Sequence, residues 1–451
     1  MITLADLVER QHRVFHDARP IDRREHPDRW TAADFAGVTR EQMLSDFWGA
    51  EVPGSGAYDE MLTGAVVAAG QLGWDVTESC AALDRGWRAI AAGVGRAERS
   101  ALAEEVFTTL ERGRMPADSG RRPSVGGDRP TVFALLPGRE ERVLAGWRGQ
   151  IAGGAFGTAI EGCTGAAISS VYGSITGYVA APSSLNDDVV YELIALDVLA
   201  IHGASATQAQ YANAWSARIP FGWSAEWVAL DNLARGVDPV VAAELRNPMN
   251  EWIGAQMRGM VFGQLCPGDP ARAAALARTE ASVSHRGMGI EGGAFAAMLS
   301  ALAFSFDDAR TVVEHATQTL APSTYRDAAL WVLNTCRAAP SFADSWALIS
   351  ERYDHHNWIH AVPNIGAVIA ALWFGANNIT ESFSLLAHAG LDVDCNAGLV
   401  GTVLGTCNAY VPSAWVDPLG DRLDTYLPSV PSVEISTLAE QTLAVSSRLS
   451  Q

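Results

Sequence analysis

Five acidic side chains stand in contexts where solvated surface charge is not expected. Asp187 and Asp188 are adjacent and open the apolar run Val189-Val190-Tyr191-Glu192-Leu193-Ile194. Asp392 and Asp394 are two apart, between the apolar stretches Phe383 to Leu386 and Leu399 to Leu404. In an extended segment that spacing turns both carboxylates to one side. Glu161 continues the four-residue repeat of Gly149, Gly153 and Gly157, so one helix face carries three glycines and then a carboxylate. Buried carboxylates must find partners or protonate, and the chain has no lysine, all 32 of its basic residues being arginine. Paired aspartates without a His or Cys cluster are oxygen donors suited to hard divalent cations, Mg²⁺ or Mn²⁺. If all five carboxylates converge, two divalent ions neutralise four of the five charges. Each cluster also has a purely structural reading. Asn186 can cap a helix whose dipole favours Asp187 and Asp188 in its first turn, and the glycines can serve close packing of two core helices despite costing about 1 kcal/mol each in helix propensity.

The elements that must position these groups read as helices. Apolar residues recur at helical spacing over 58–73 and 98–110, then over 189–200, 256–265, 271–283, 293–306, 328–338, 365–375 and 397–409. Strand-like alternation is almost missing, so an all-α, multi-helix bundle is expected. A stretch dense in Pro, Gly, Ser and Arg interrupts the pattern. It divides the chain into a helical N-terminal region, 1–112, a linker or long loop, 113–130, and a main all-α body, 131–451.

Composition narrows the function classes. The missing lysine excludes a P-loop lysine, a Schiff-base lysine for pyridoxal phosphate and a lysine general base. The formal charge of −19 and pI near 4.9 argue against a nucleic-acid partner, which needs a basic surface. The charged N-terminus lacks a signal-peptide core and no window is apolar enough to span a membrane, so the expectation is a cytoplasmic protein without a membrane partner. Six scattered cysteines with no C-x-x-C pattern read as reduced thiols.

Taken together, the acidic segments resemble the ADP-ribosylglycohydrolase family. Its glycine-rich helix, G-x-x-x-G-x-x-x-G-x-x-x-E-G, is similar to Gly149 through Gly162, with Glu161 at the family glutamate. Its [TN]-D-D motif is similar to Asn186-Asp187-Asp188 with Tyr191 following, and G-x-D-x-D-[STC]-N to Gly390, Asp392, Asp394, Cys395 and Asn396. Asn247-Pro248, Glu251 to Arg258, Phe262-Gly263, Pro267-Gly268, Ser284-His285, Gly289-Ile290, Trp358, His360, Pro363 and Asn364 follow in the order of one bacterial branch. The resemblance runs from about Arg142 to Trp415.

It implies an orthogonal helical bundle with two divalent cations, Mg²⁺ or Mn²⁺, in a cleft, and hydrolysis of an N- or O-glycosidic bond at the anomeric carbon of ribose. It makes Asn186, Asp187, Asp188, Asp392, Asp394 and Cys395 the metal-ligand set. Glu161, Asp187 and Asp394 become the catalytic carboxylates, and His285, Gly287, Gly289 and Trp358 the substrate contacts, Trp358 by stacking on a base. The expected substrate is an ADP-ribose conjugate, including an ADP-ribosylated protein, or a related nucleotide. A small-molecule N-ribosidase acting on a ribosylated heterocycle is the first alternative, and a silent ADP-ribose-binding or crystallin-like member the second. Asn186 and Cys395 replace commoner hydroxyl residues, Val393 stands where Thr is usual, Met260 replaces a frequent acidic residue, and the segment after His285 lacks the branch's Asn and Tyr. These departures fall toward the expected substrate side and bear on the leaving group more than on hydrolysis.

Overall fold

In the computed structural model, Gly149, Gly153 and Gly157 face a second helix at a distance only glycine allows. They lie on helix Arg139–Gly157, which crosses helix Val393–Asn408. A Cβ on Gly149 would penetrate the Gly401 carbonyl, one on Gly153 that of Ala397, and one on Gly157 the backbone of Asp394. Gly401 and Gly405 return the fit against Gly149 and Ala145. The propensity lost at these glycines is therefore offset by a close helix pairing, with Ile151, Phe156, Leu399 and Val403 buried around it.

The structure describes residues 2–449 except 28–30, 32, 33, 35, 36, 116–127 and 129. Most of the expected linker, 113–130, lies outside the described residues. The fold is all-α: among the described residues 64% are helical, in 22 helices, with little sheet. Among the described residues the sheet amounts to three two-stranded antiparallel pairs. The pattern over 256–265 becomes a 3-10 turn, Ile253–Ala255, and a short helix, Met260–Leu265. The hairpin Arg422–Leu427 with Val430–Glu434 had no clear alternation to announce it. No helix among the described residues is long and apolar enough to cross a membrane, and all six cysteines are buried free thiols.

The N-terminal helices share a continuous apolar core with the body. Leu7, Phe47, Leu62 and Phe107 pack in one cluster with Val190, Tyr191, Trp215 and Trp227. Phe47 meets Trp227 edge-on at 4.8 Å between ring centres. Ion pairs follow the same seam: Arg40 reaches Asp231 at 2.6 Å and Arg246 reaches Glu104 at 2.8 Å.

Candidate functional site

Each carboxylate owes its place to a local signal. Asn186 is the N-cap of helix Asp187–His202, its Oδ1 accepting from the Asp188 amide at 2.7 Å. Its Nδ2 donates to Asp394 Oδ2 at 3.0 Å, so both polar atoms of this side chain are engaged. Asp392 and Asp394 do not lie on an extended segment, as their spacing alone indicates. Asp392 is the N-cap of helix Val393–Asn408 and Asp394 sits in its first turn. Four residues before the apolar repeat becomes legible, the chain is already helical. Glu161 follows the glycine helix in a turn closed by Gly162 at φ +71°, where a β-carbon is strongly disfavoured. The Gly162 amide donates to Leu391 O at 3.0 Å, and Cys163–Thr164 pairs with Gly390–Leu391. This two-residue sheet places Glu161 beside Asp392.

The five side chains converge. Asp188, Asp392 and Asp394 are 3%, 5% and 4% exposed. Two groups of three donor atoms, each within 4.8 Å of one another, can be drawn: Asp188, Asp394 and Cys395, and Glu161, Asp392 and Asp394. Asp394 belongs to both. Among the described residues, no arginine or histidine pairs with any of the five. Burial, reinforced by the neighbouring Asp394 charge, pushes the carboxyls of Glu161, Asp188 and Asp392 well up, and that of Asp187 to about 7. Asp392 Oδ1 is buried without a hydrogen-bond donor. A buried acceptor with no donor and a surplus of negative charge fit a cation ligated there. The donor set is not uniform, because Cys395 Sγ donates to Asp188 Oδ1 at 3.4 Å and burial pushes its thiol up. A thiol matches Mg²⁺ poorly.

The cluster opens into a cleft of about 330 Å³, within the small-molecule range. Its floor carries Asp187, Asp394 and Thr158, and its walls carry Phe221, Trp223, Glu226 and Trp358. The N-terminal region lines the same cleft, with Met43, Phe47, Glu51 and Asp59. Asp59 accepts from Trp358 Nε1 at 3.3 Å, and burial pushes its carboxyl up to about 6. Residues 1–112 offered no motif, so sequence reasoning missed Asp59 and Phe47; the only local cue is the turn-forming Pro53-Gly-Ser-Gly56. Glu226 was missed as well. It is ion-paired to Arg258, which also reaches Glu280 at 2.9 Å and lies 4.8 Å from the Trp215 ring.

His285, Gly287 and Gly289 stand behind this wall. His285 is fully buried, its Nδ1 2.8 Å from Ser284 Oγ and 3.7 Å from Glu226 Oε1. Gly287 abuts Glu251, and Gly289 the Asn250 carbonyl, at the start of helix Gly287–Leu302. Trp358 lines the cleft itself, its position fixed by Asn364 Nδ2, which donates to the Trp358 carbonyl at 2.7 Å while Asn364 Oδ1 accepts from the Asp392 amide at 3.2 Å.

Residues 136–448 match the family model for ADP-ribosylglycohydrolase. The chain belongs to the ADP-ribosylglycohydrolase family. An ADP-ribosylglycohydrolase-related protein complex of known structure is 19% identical, covering 70% of this chain and 100% of its own, with a TM-score of 0.49. No curated protein is significantly similar. Glycohydrolase chemistry on ADP-ribose-type substrates is the activity of the ADP-ribosylglycohydrolase family, and the matched span contains every carboxylate of the cluster while Phe47 and Asp59 lie before it.

Proposed function

We propose that this chain is a metal-dependent glycosidase that hydrolyses a ribosyl bond of an ADP-ribose-type substrate, with two divalent cations held by the carboxylate cluster. The observation that carries this reading is the sharing of Asp394 between two donor groups. Glu161, Asp392 and Asp394 would hold one cation through oxygen alone, as Mg²⁺ or Mn²⁺ prefers. Asp188, Asp394 and Cys395 would hold the other, with Mn²⁺ the better match to sulfur. When bound, such ions orient hydroxyl groups and lower the pKa of water.

The protein groups perform the remaining work. Cleavage at the ribose anomeric carbon passes through an oxocarbenium-like state, and carboxylates beside C1′ stabilise its positive charge. Asp187 and Glu161 are the proton acceptors for the attacking water. Asp187 lines the cleft and stands outside both donor groups. Asn186 aims Asp394 through its 3.0 Å hydrogen bond, and Trp358 offers a face for an aromatic base. His285, Gly287 and Gly289 support the substrate side through Glu226, Asn250 and Glu251.

A second reading, a small-molecule N-ribosidase, is favoured by one observation: Phe47 and Asp59 from residues 1–112 wall the cleft, leaving less access for a protein conjugate. The test is to strip the protein with chelator, titrate Mn²⁺ by calorimetry, and incubate it with ADP-ribosyl-arginine, an ADP-ribosyl-serine peptide and free ribosides. Release of amine or base only with Mn²⁺ or Mg²⁺ is the expected result. Absence of divalent binding would sink the two-cation site.

A further inference from the structure

A second group of metal-ligating side chains lies outside the carboxylate cluster, and it contains two histidines. His12 and His16 stand one turn apart on helix Leu4–Asp17, and a spacing of four puts both rings on one face. Their ring centres are 4.0 Å apart, with the planes 29° from parallel. Both present Nε2 to the same carboxylate, that of Asp354, the C-cap of helix Phe342–Tyr353. His12 Nε2 lies 2.9 Å from Asp354 Oδ2, and His16 Nε2 lies 3.6 Å from Asp354 Oδ1. The three side chains offer donor atoms that all fall within 4.8 Å of one another.

One imidazolium is enough to balance a carboxylate, and a second stacked on the first would repel it. Two neutral imidazoles beside one carboxylate make instead a two-nitrogen, one-oxygen donor set of the kind Zn²⁺ takes. With tetrahedral bonds of about 2.0–2.1 Å, neighbouring donor atoms stand about 3.3 Å apart. The observed 2.9 and 3.6 Å fall on either side of that spacing, so rotation of the side chains suffices to seat an ion. The side chains of His12, His16 and Asp354 are 44%, 45% and 52% exposed, which gives an ion a path in and leaves its fourth position to water. Imidazole donors also separate this group from the oxygen-rich cluster, because they favour Zn²⁺ where carboxylates suit Mg²⁺ or Mn²⁺. His356, close by in sequence, is engaged elsewhere, stacked on His360 with ring centres 3.9 Å apart.

We propose that His12, His16 and Asp354 bind one Zn²⁺ ion, separate from the carboxylate cluster, which clasps the N-terminal helix to the segment leading into Trp358. The two sides already meet at two further points. Asn357 Nδ2 donates to Gln11 Oε1 at 3.1 Å, and Gln71 Nε2 donates to the His355 carbonyl at 2.6 Å. Leu7 anchors the same helix in the core. Both sides of the clasp continue into the cleft: Phe47 and Asp59 come from the N-terminal region, and Trp358 lies four residues after Asp354. The Trp358 indole donates to Asp59 across that junction. An ion on His12, His16 and Asp354 therefore fixes the joint at which the N-terminal region meets the cleft, without touching the cleft itself.

Calorimetric titration with Zn²⁺ tests this on the untagged full chain, stripped with chelator and then held in saturating Mg²⁺ to occupy the cluster. A Zn²⁺ binding event should be shared by the parent and Asp394→Ala. It should weaken at least about ten-fold in His16→Ala and in Asp354→Ala, since losing a mere supporting partner of a ligand already costs that much. Both substitutions are at exposed side chains, so the variants should fold as the parent does. Cu²⁺ bound in place of Zn²⁺ should show electron-spin couplings to two imidazole nitrogens in the parent and to one in His16→Ala. Zn²⁺ should raise the melting temperature of the parent and leave that of His16→Ala unmoved. Binding of equal strength in the parent and His16→Ala overturns the proposal, as does binding lost in Asp394→Ala but kept in His16→Ala, which would assign the ion to the cluster. A parent that binds no Zn²⁺, or copper spectra without imidazole coupling, overturns it too. An equal rise in melting temperature in the parent and His16→Ala overturns the clasp.

Discussion

Asp394 is the residue on which both donor groups depend. Removing it leaves two donors in each group, whereas Asp188→Asn and Glu161→Gln each touch one group. Calorimetric titration of Asp394→Ala with Mn²⁺ should therefore show no tight site, and each of the other two variants should lose one and keep the second. Two retained sites in Asp394→Ala would refute the shared-ligand arrangement. Arg258 is the corresponding residue outside the cluster. It holds Glu226 and Glu280 in full burial between the rings of Tyr191 and Trp215. Deleting one partner of a buried ion pair strands the others at a cost of about 3–5 kcal/mol, so Arg258→Met should lower the unfolding free energy read from urea melts by that amount, and a change below about 1 kcal/mol would contradict the assignment. At this scale the five carboxylates were legible in the sequence, because aspartates between apolar runs need a physical excuse. Asp59 and Glu226 were not, since a single acidic residue beside an ordinary turn carries no periodic signal and its importance arises only from what it faces.

Helices were legible because their apolar period is long, and their starts were not where a cap replaces the period. Asp392 and Asp394 show this: the spacing of two reads as extended chain, yet the N-cap and first turn of a helix bring the same two carboxylates together. The pairing Cys163–Thr164 with Gly390–Leu391 was invisible, because two residues on each side leave no alternation to detect. The glycine helix was read with two meanings, and the crossing with Val393–Asn408 supplies the packing one while holding Glu161 beside the cluster. A quantitative test is available. Gly149→Ala gains about 1 kcal/mol of helix propensity but drives a methyl group into the Gly401 backbone, and overpacking of this kind costs about 1–3 kcal/mol, more where backbone cannot yield. Net destabilisation is expected in urea melts. Gly177→Ala, where a Cβ meets open space, should stay within about 0.5 kcal/mol of the parent.

For the molecule as a whole, the buried carboxyls link stability to pH. The folded state holds protons on Asp187, with pKa about 7, and Glu192, with pKa about 8, both raised first by burial. The unfolded chain releases them near 4. Between about pH 4 and 8 the folded state therefore binds more protons, and its stability falls as pH rises. Chelated protein should lose melting temperature from pH 5 to pH 8, and Mn²⁺ should restore the part that belongs to the cluster. The part from Glu192 should persist with metal bound and vanish in Glu192→Gln. Gln150 donates to Glu192 Oε2 at 2.8 Å while its own Oε1 lacks a partner, so a flip of the Gln150 amide can accommodate the new side chain. A melting temperature that rises with pH in the chelated protein would reverse the sign and refute the buried protonation. The acidic composition indicated only a chain unsuited to nucleic acid; folding concentrates part of that charge in a single cleft, which no count of residues can reveal.

The contact of Gly149, Gly153 and Gly157 with Gly401, Ala397 and Asp394 also bears on how the molecule breathes. Backbones that touch through glycine cannot slide by a fraction of a turn, because a neighbouring residue with a side chain would have to enter the gap. The two helices must separate altogether or not at all. Their amide protons should accordingly exchange with deuterium only through the global opening of the protein, whether or not a cation is bound, and with one common opening free energy from Gly149 to Gly157 and from Ala397 to Gly405.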